Sequence, residues 1–293
     1  MSKKSNKYAG DQPAAYDPTG VSEYLGLGRP IDFDKKPVRI AMMCAVAISV
    51  VVTLWKCSTG MDSGAAVVSA LGYALSFLFS YMLALELDPD RQLGGFIGGG
   101  LTLIATYFMG EGNILVMLWL LFILRMLNRS SGDRHRLIDN VIMIGSAAWL
   151  GLQGLWVFPL LTGAAYILES QIQAGYFRSL YLEGISLACL IFAKYDTVAN
   201  ELSMSNIIIM ALAFILFLPE IRVADYVKSK GDKNGKRLLP KRLQTMQGYF
   251  CMMLFSLTFL HGNAIVPSLM PAVGAAAGCG IYLFVALLKH EVF

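Results

Sequence analysis

From Gly64 to Leu85 the chain reads GAAVVSALGYALSFLFSYMLAL, 22 residues without an Asp, Glu, Lys, Arg or His. As a helix rising 1.5 Å per residue it is about 33 Å long, enough to cross a hydrocarbon core of roughly 30 Å. Upstream, Val38 to Trp55 carries only Arg39 and the thiol of Cys44. Two such runs in succession are useful only in a membrane, and they decide the fold class as all-α.

Further apolar stretches follow at 93–109, 113–127, 138–151, 154–168, 180–195, 204–219, 245–260 and 264–287, after those at 37–56 and 64–85. The expected architecture is a polytopic transmembrane helical bundle of about ten spans. Several stretches are too short to cross a core of roughly 30 Å unless flanking residues snorkel, and one re-entrant pair would reduce the count to eight. Composition agrees. The 293 residues are 56% hydrophobic and 15% charged, with mean hydropathy +0.58, whereas a soluble domain is about a quarter charged.

Charge sets the orientation. With the N-terminus cytoplasmic, all of the 24 Lys and Arg except Lys56 and Lys194 fall on the inner side. The short outer loops carry Asp62, Glu111, Asp196 and Glu201. The positive-inside rule therefore predicts both termini in the cytoplasm of a bacterial-type cytoplasmic membrane. The net charge of +4 belongs to these inner loops, and no nucleic-acid partner is expected.

Two regions follow. Residues 1–36 are polar, hold Gly10, Pro13, Pro18, Gly20, Gly26, Gly28 and Pro30, and lack the pattern of a secretory signal peptide. They read as a flexible cytoplasmic arm, with a short amphipathic piece around Val21–Leu27 on the bilayer surface as the alternative to plain disorder. Residues 37–293 form the helical domain, interrupted by a basic, solvated loop at about 220–244 with a tight turn at Gly231-Asp232-Lys233-Asn234-Gly235. Asn128-Arg129-Ser130 matches a glycosylation sequon by chance, since it lies on the cytoplasmic side. Four of the five cysteines sit in apolar segments and the three histidines are scattered, so no structural zinc or haem site is expected.

Small residues mark packing faces. Gly94/Gly98 and Gly95/Gly99 repeat at i, i+4 in the third stretch, as do Gly274/Gly278 in the tenth. Such spacing lets helix backbones approach closely and is a candidate surface for a partner helix. Pro267, Pro271 and Pro159 are candidates for kinks.

No Asp, Glu, Lys or Arg falls near the middle of a span, which argues against proton- or sodium-coupled transport. Ionisable residues gather instead at the inner helix ends. The densest cluster is Glu86, Asp88, Asp90 and Arg91, where Pro89 ends the second helix. Glu220, Arg222 and Asp225 form another. Carboxylates such as Asp88 and Asp90 could hold Mg²⁺ against a diphosphate, and arginines match phosphate bidentately. Intramembrane prenyltransferases of the UbiA type work this way, but their Asn-Asp-x-x-Asp and Asp-x-x-x-Asp signatures are absent; Glu86-x-Asp88-x-Asp90 has a different spacing. The Asp-Gly-x-x-Ala-Arg signature of CDP-alcohol phosphotransferases is absent as well. In size and span number the chain resembles drug/metabolite-transporter-type carriers, without an internal repeat relating its halves.

Three functions stay open. The first is an inner-face site for an anionic lipid or phosphorylated substrate, with Glu86, Asp88, Asp90, Glu220 and Asp225 converging on one cavity. The others are an uncoupled small-molecule carrier and a non-catalytic membrane subunit or scaffold.

Overall fold

The computed structural model describes residues 24–29, 33–195 and 201–289. Most of the expected N-terminal arm, Asp196 and His290 lie outside these residues. The described chain is all-helical: α1 Lys36–Ser58, α2 Ser63–Leu87, α3 Leu93–Met109, α4 Ile114–Asn128, α5 Leu137–Leu152, α6 Val157–Gln171, α7 Ser179–Ala188, α8 Met204–Val223, α9 Pro240–His261 and α10 Val266–Leu288. A 3-10 turn, Cys189–Phe192, extends α7, and another, Ala224–Tyr226, extends α8. Among the described residues there are only two isolated β-bridges, Leu155 with Tyr195 and Lys230 with Arg237.

Each expected apolar stretch corresponds to one helix. The largest shift of a helix start is at α9, which begins at Pro240 rather than near 245 because proline's fixed φ suits the first helical turn. Local chemistry starts other helices where they start. Asp62 caps α2 by accepting from the Gly64 and Ala65 amides, Asn113 caps α4 and Ser203 caps α8. Pro159 falls in the first turn of α6, where its missing N–H costs no hydrogen bond.

Four helices are long and apolar enough to cross a membrane: α1, α2, α8 with its 3-10 extension, and α10. Their outward faces confirm the solvent they are built for. Ile40, Met43, Val46, Val50, Val51 and Leu54 of α1 are all exposed, as are Ile208, Leu212, Ile215 and Leu218 of α8. A soluble surface does not carry such continuous apolar stripes. The chain is an integral membrane protein.

The helices run alternately between two ends. At one end, the Asp90 carboxylate takes the Lys228 and Ser229 amides, both at 2.8 Å. There also Asp232 and Lys233 donate their amides to the Ser130 and Ser131 carbonyls, and Arg242 Nη1 donates to the Gln173 carbonyl at 3.0 Å. The turns after α2, α4, α6 and α8 thus meet in one place. At the other end, the Asn113 amide donates to Ser268 Oγ, the Lys194 amide to the Gly151 carbonyl, and the Ser203 amide to Asn263 Oδ1. The first end holds most of the charge and is called the charged end below.

Two helices fill the centre. In α4 every residue from Val116 to Asn128 except Leu118 and Arg125 is buried. In α10 two-thirds of the apolar window is enclosed, against about a tenth in α1. The contact between α3 and α10 is made by glycines. A Cβ on Gly98 would lie 2.7 Å from the Gly274 carbonyl oxygen, and one on Gly278 would strike the Gly94 carbonyl and the Gly98 amide. Gly95 and Gly99 instead admit the rings of Tyr81 and Phe77 from α2. The glycine faces expected to receive a partner helix are therefore occupied by helices of this chain. Two backbones this close gain dispersion contacts that no side chain could match.

The variant Gly278→Ala should lose about 1–3 kcal/mol through overpacking of this contact. Gly100→Ala, on α3, faces open space and should be neutral or slightly stabilising. Thermal unfolding of the two variants in detergent micelles checks the contrast.

Candidate functional site

Helices ending in an apolar environment leave carbonyls without partners. At the charged end, arginines supply the donors. Arg242, 1% exposed, is the most enclosed of them. Its Nε donates to the Leu127 carbonyl at 2.9 Å, and Nη2 donates to the Met126 carbonyl at 3.2 Å. The same guanidinium pairs with the buried carboxylate of Glu169, whose other oxygen takes Arg129 at 2.5 Å. One side chain on α9 thereby closes the end of α4 and anchors the end of α6.

A second cluster centres on Arg91. Its Nη1 lies 3.0 Å from Asp88 Oδ2 and 2.9 Å from Glu220 Oε2. Burial pushes the Asp88 carboxyl above its ordinary range; Arg91 opposes this and the neighbouring Asp90 adds to it. Asp90 itself is committed to the Lys228 and Ser229 amides.

A third cluster centres on Glu86, which is fully buried in the last turn of α2. Its Oε1 accepts from Arg29 Nη1 and from Arg125 Nε, each at 3.0 Å. Arg29 also pairs with Asp232. The residues around Arg29 are held firmly: the Gly26 and Leu27 amides donate to Asp139 at 2.7 and 3.1 Å, Leu27 is fully buried, and Lys233 Nζ donates to the Leu25 and Gly26 carbonyls. Where it is described, the expected flexible arm is thus a docked segment, and the expected solvated loop is a folded one. In that loop Lys230 bridges Arg237, the Gly231 amide donates to the Lys236 carbonyl, and Val227 and Leu238 are buried.

The carboxylates named from sequence are therefore divided. Asp88 and Glu220 meet on Arg91, Glu86 belongs to a separate cluster, and Asp90 braces the 228–229 backbone. Arg222 and Asp225 are exposed, with Asp225 accepting from Gln244 at 2.8 Å. For Mg²⁺ the donor set fits poorly, because the Asp88 and Asp90 oxygens face a guanidinium and amides. Among the described residues no group of three His, Cys, Asp or Glu is placed to hold a metal.

Beside Glu86 opens a cavity of about 440 Å³. Its apolar walls are Val38, Ala41 and Met42 of α1 and Leu78, Met82 and Leu85 of α2. Its polar end carries Arg29, Lys35, Arg125 and Lys230 against Glu86 and Asp232, an excess of two positive charges. Tyr81, Glu86 and Ser130 also line it, and their polar atoms are enclosed. Ser130 stands beside the Glu86 carboxylate, within reach of a side-chain hydrogen bond. Sequence reasoning missed Tyr81, Arg29, Ser130, Lys230 and Asp232 as site residues. Only Arg125, the one charge in the apolar run of α4, carried a visible signal.

No known protein family, curated protein or solved structure is significantly similar to this chain.

Replacing Arg242 with Met should cost about 3–5 kcal/mol, because it strips Glu169 and two α4 carbonyls of a buried partner. Arg242→Lys should not restore the loss, since one ammonium cannot span those acceptors. Chemical denaturation in micelles measures both. His135 gives a pH test. It is buried between Tyr166 and Tyr176 with Nε2 2.9 Å from Ser179 Oγ. Burial lowers its pKa to about 4; an Asn140 hydrogen bond opposes this, and Arg129, Arg134 and Arg242 reinforce it. The neutral ring is favoured in the fold, so its contribution is intact above pH of about 6.5 and is lost as pH falls toward about 4. Between pH 7 and pH 5 the wild type should lose about 2 kcal/mol more than His135→Asn.

Proposed function

We propose that this protein binds an anionic amphiphile at the cytoplasmic face of the membrane, in the cavity between α1 and α2. One observation carries the proposal: a single cavity has apolar helix walls at one end and an excess of cations at the other. A headgroup bearing phosphate suits arginine and lysine, and chains suit Val38, Met42, Leu78 and Met82. The cavity is flanked by α1, the least enclosed of the long helices, which gives a ligand a lateral way in from the bilayer.

All ten helices are membrane-embedded in this proposal, with the charged end and both termini on the cytoplasmic side. The positive-inside rule supports that orientation, since Lys56 and Lys194 alone among the basic residues are assigned to the opposite end. Short helices such as α4 and α5 suit a bundle in which arginine side chains and the folded 228–238 loop fill the headgroup layer. A carrier is less well supported. The centre of α4 is apolar from Val116 to Leu124, and its indole, Trp119, is already bonded to Thr162 at 2.8 Å.

Purified protein carrying Lys35→Ala and Lys230→Ala should retain less anionic phospholipid, with about a fivefold loss of affinity per charge removed. Phosphatidylcholine retention should not change. Native mass spectrometry of the detergent-solubilised protein reads both. Unaltered anionic lipid binding in the double variant would overturn the proposal.

A further inference from the structure

The buried carboxylates of the charged end are not matched to arginine in a constant ratio. Glu86 meets two guanidiniums, those of Arg29 and Arg125. Glu169 also meets two, those of Arg129 and Arg242. At Arg91 the ratio inverts, because Asp88 and Glu220 share one guanidinium. They share a single nitrogen of it. Nη1 lies 3.0 Å from Asp88 Oδ2, and 2.9 and 3.2 Å from the two Glu220 oxygens. Asp88 is 5% exposed and Glu220 2%, so water screens them little.

With both carboxylates ionised, this cluster carries a net negative charge. Nothing around it supplies a second cation. Among the described residues, the groups facing the pair are Asp90 in the turn after α2, Gln247 of α9 and the Cys279 thiol of α10. The last turns of α2 and α8 add the negative poles of their dipoles. Like charges this close and this buried favour the state in which one of the two is protonated. The Asp88 carboxyl is raised in that sense by burial, against the pull of Arg91 and with the help of Asp90.

Gln247 supplies an independent reason. It is 1% exposed, and its Nε2 donates to the Leu87 carbonyl at 2.7 Å. Its Oε1 finds no donor among the described residues. Gln247, Asp88 and Glu220 together line a void of about 10 Å³. Ionised carboxylates only accept, so they cannot answer Oε1, whereas a protonated carboxyl is a donor. A proton needs no ligand-sized opening. Arg91 also lines a surface groove with Gln92, Tyr226 and Lys228, which brings solvent close to the pair.

We infer that Asp88 and Glu220 form a proton-binding site, sharing one proton beside Arg91 and joining the ends of α2 and α8 in a pH-dependent contact. This does not rest on the amphiphile cavity. Loss of the proton sets two buried negative charges on one nitrogen and weakens the contact. The site lies at helix ends rather than at mid-membrane, which suits sensing pH at the charged end and not carrying protons across.

The test uses the full chain in dodecyl maltoside at pH 7, where ordinary carboxyls, with pKa near about 4, are ionised. Infrared spectra should show the carbonyl band of a protonated carboxyl, which moves in D2O as lipid ester bands do not. Asp88→Asn and Glu220→Gln should each remove one carboxyl's intensity from it, because the remaining carboxylate then has Arg91 to itself. Asp225→Asn, at an exposed carboxylate, should leave it intact. Absence of the band from the wild type overturns the inference without recourse to any variant. Unchanged intensity in either pair variant overturns the sharing.

Stability supplies the sign. The fold holds the proton more tightly than the unfolded chain, so its contribution is present below pH of about 4 and is lost as pH rises to the pair's own midpoint. Over that range the wild type should lose about tenfold in folding equilibrium constant per pH unit relative to Glu220→Gln. Denaturation in micelles from pH 5 upward reads the difference, and His135 titrates in both proteins and cancels. Ordinary ion pairs would give no slope above pH 5, and that result also overturns the inference.

Discussion

Helices that end together in a poorly hydrated place create a shared electrostatic problem. The turns after α2, α4, α6 and α8 meet at one end of this bundle, so the negative poles of those helix dipoles converge. Their last carbonyls lack intrahelical donors. Arg242 answers the need at α4 directly, through the Met126 and Leu127 carbonyls, while Glu169 balances its charge. Arg91 and Arg125 answer it less directly, by neutralising the carboxylates at the ends of α2 and α8. Fixing those guanidiniums fixes the helix ends. The cavity beside Glu86 is a gap left within that arrangement.

This is why stability and binding are hard to separate at Glu86. Its Oε1 is engaged by Arg29 and Arg125 and belongs to the scaffold. The same residue lines the cavity, with Ser130 beside its carboxylate. One residue thus both holds the fold and lines the cavity. Tyr81 likewise packs its ring against α3 and lines the cavity.

The helices were legible in the sequence because each is a run of apolar residues bounded by charge, glycine or proline, and composition alone reveals such runs. The glycine faces were legible as places of close approach. Their partners were not, because Gly94 and Gly98 could as well have met another chain as Gly274 and Gly278 of this one. The site was legible only in outline. Glu86, Asp88, Arg91 and Glu220 stood out by density, but proximity along the chain misrepresents what they pair with. Glu86 pairs with Arg29 and Arg125, and Arg91 reaches Glu220 across 129 positions. Tyr81 and Ser130 gave no signal, since a tyrosine or serine in such a context acquires meaning only from what the fold places beside it.

The pairing of Arg29 with Asp232 has a consequence for how the molecule is made. These residues are separated by 203 positions, and Lys233 holds the Leu25 and Gly26 carbonyls from the same distant loop. Synthesis runs from the N-terminus, so Arg29 leaves the ribosome long before Asp232 exists. The cavity can therefore be walled only after α8 has been delivered to the membrane. Until then the buried charges of the N-terminal segment and of α2 have only part of their final company. A chain cut short before residue 232 contains both apolar walls of the cavity and no means of closing it.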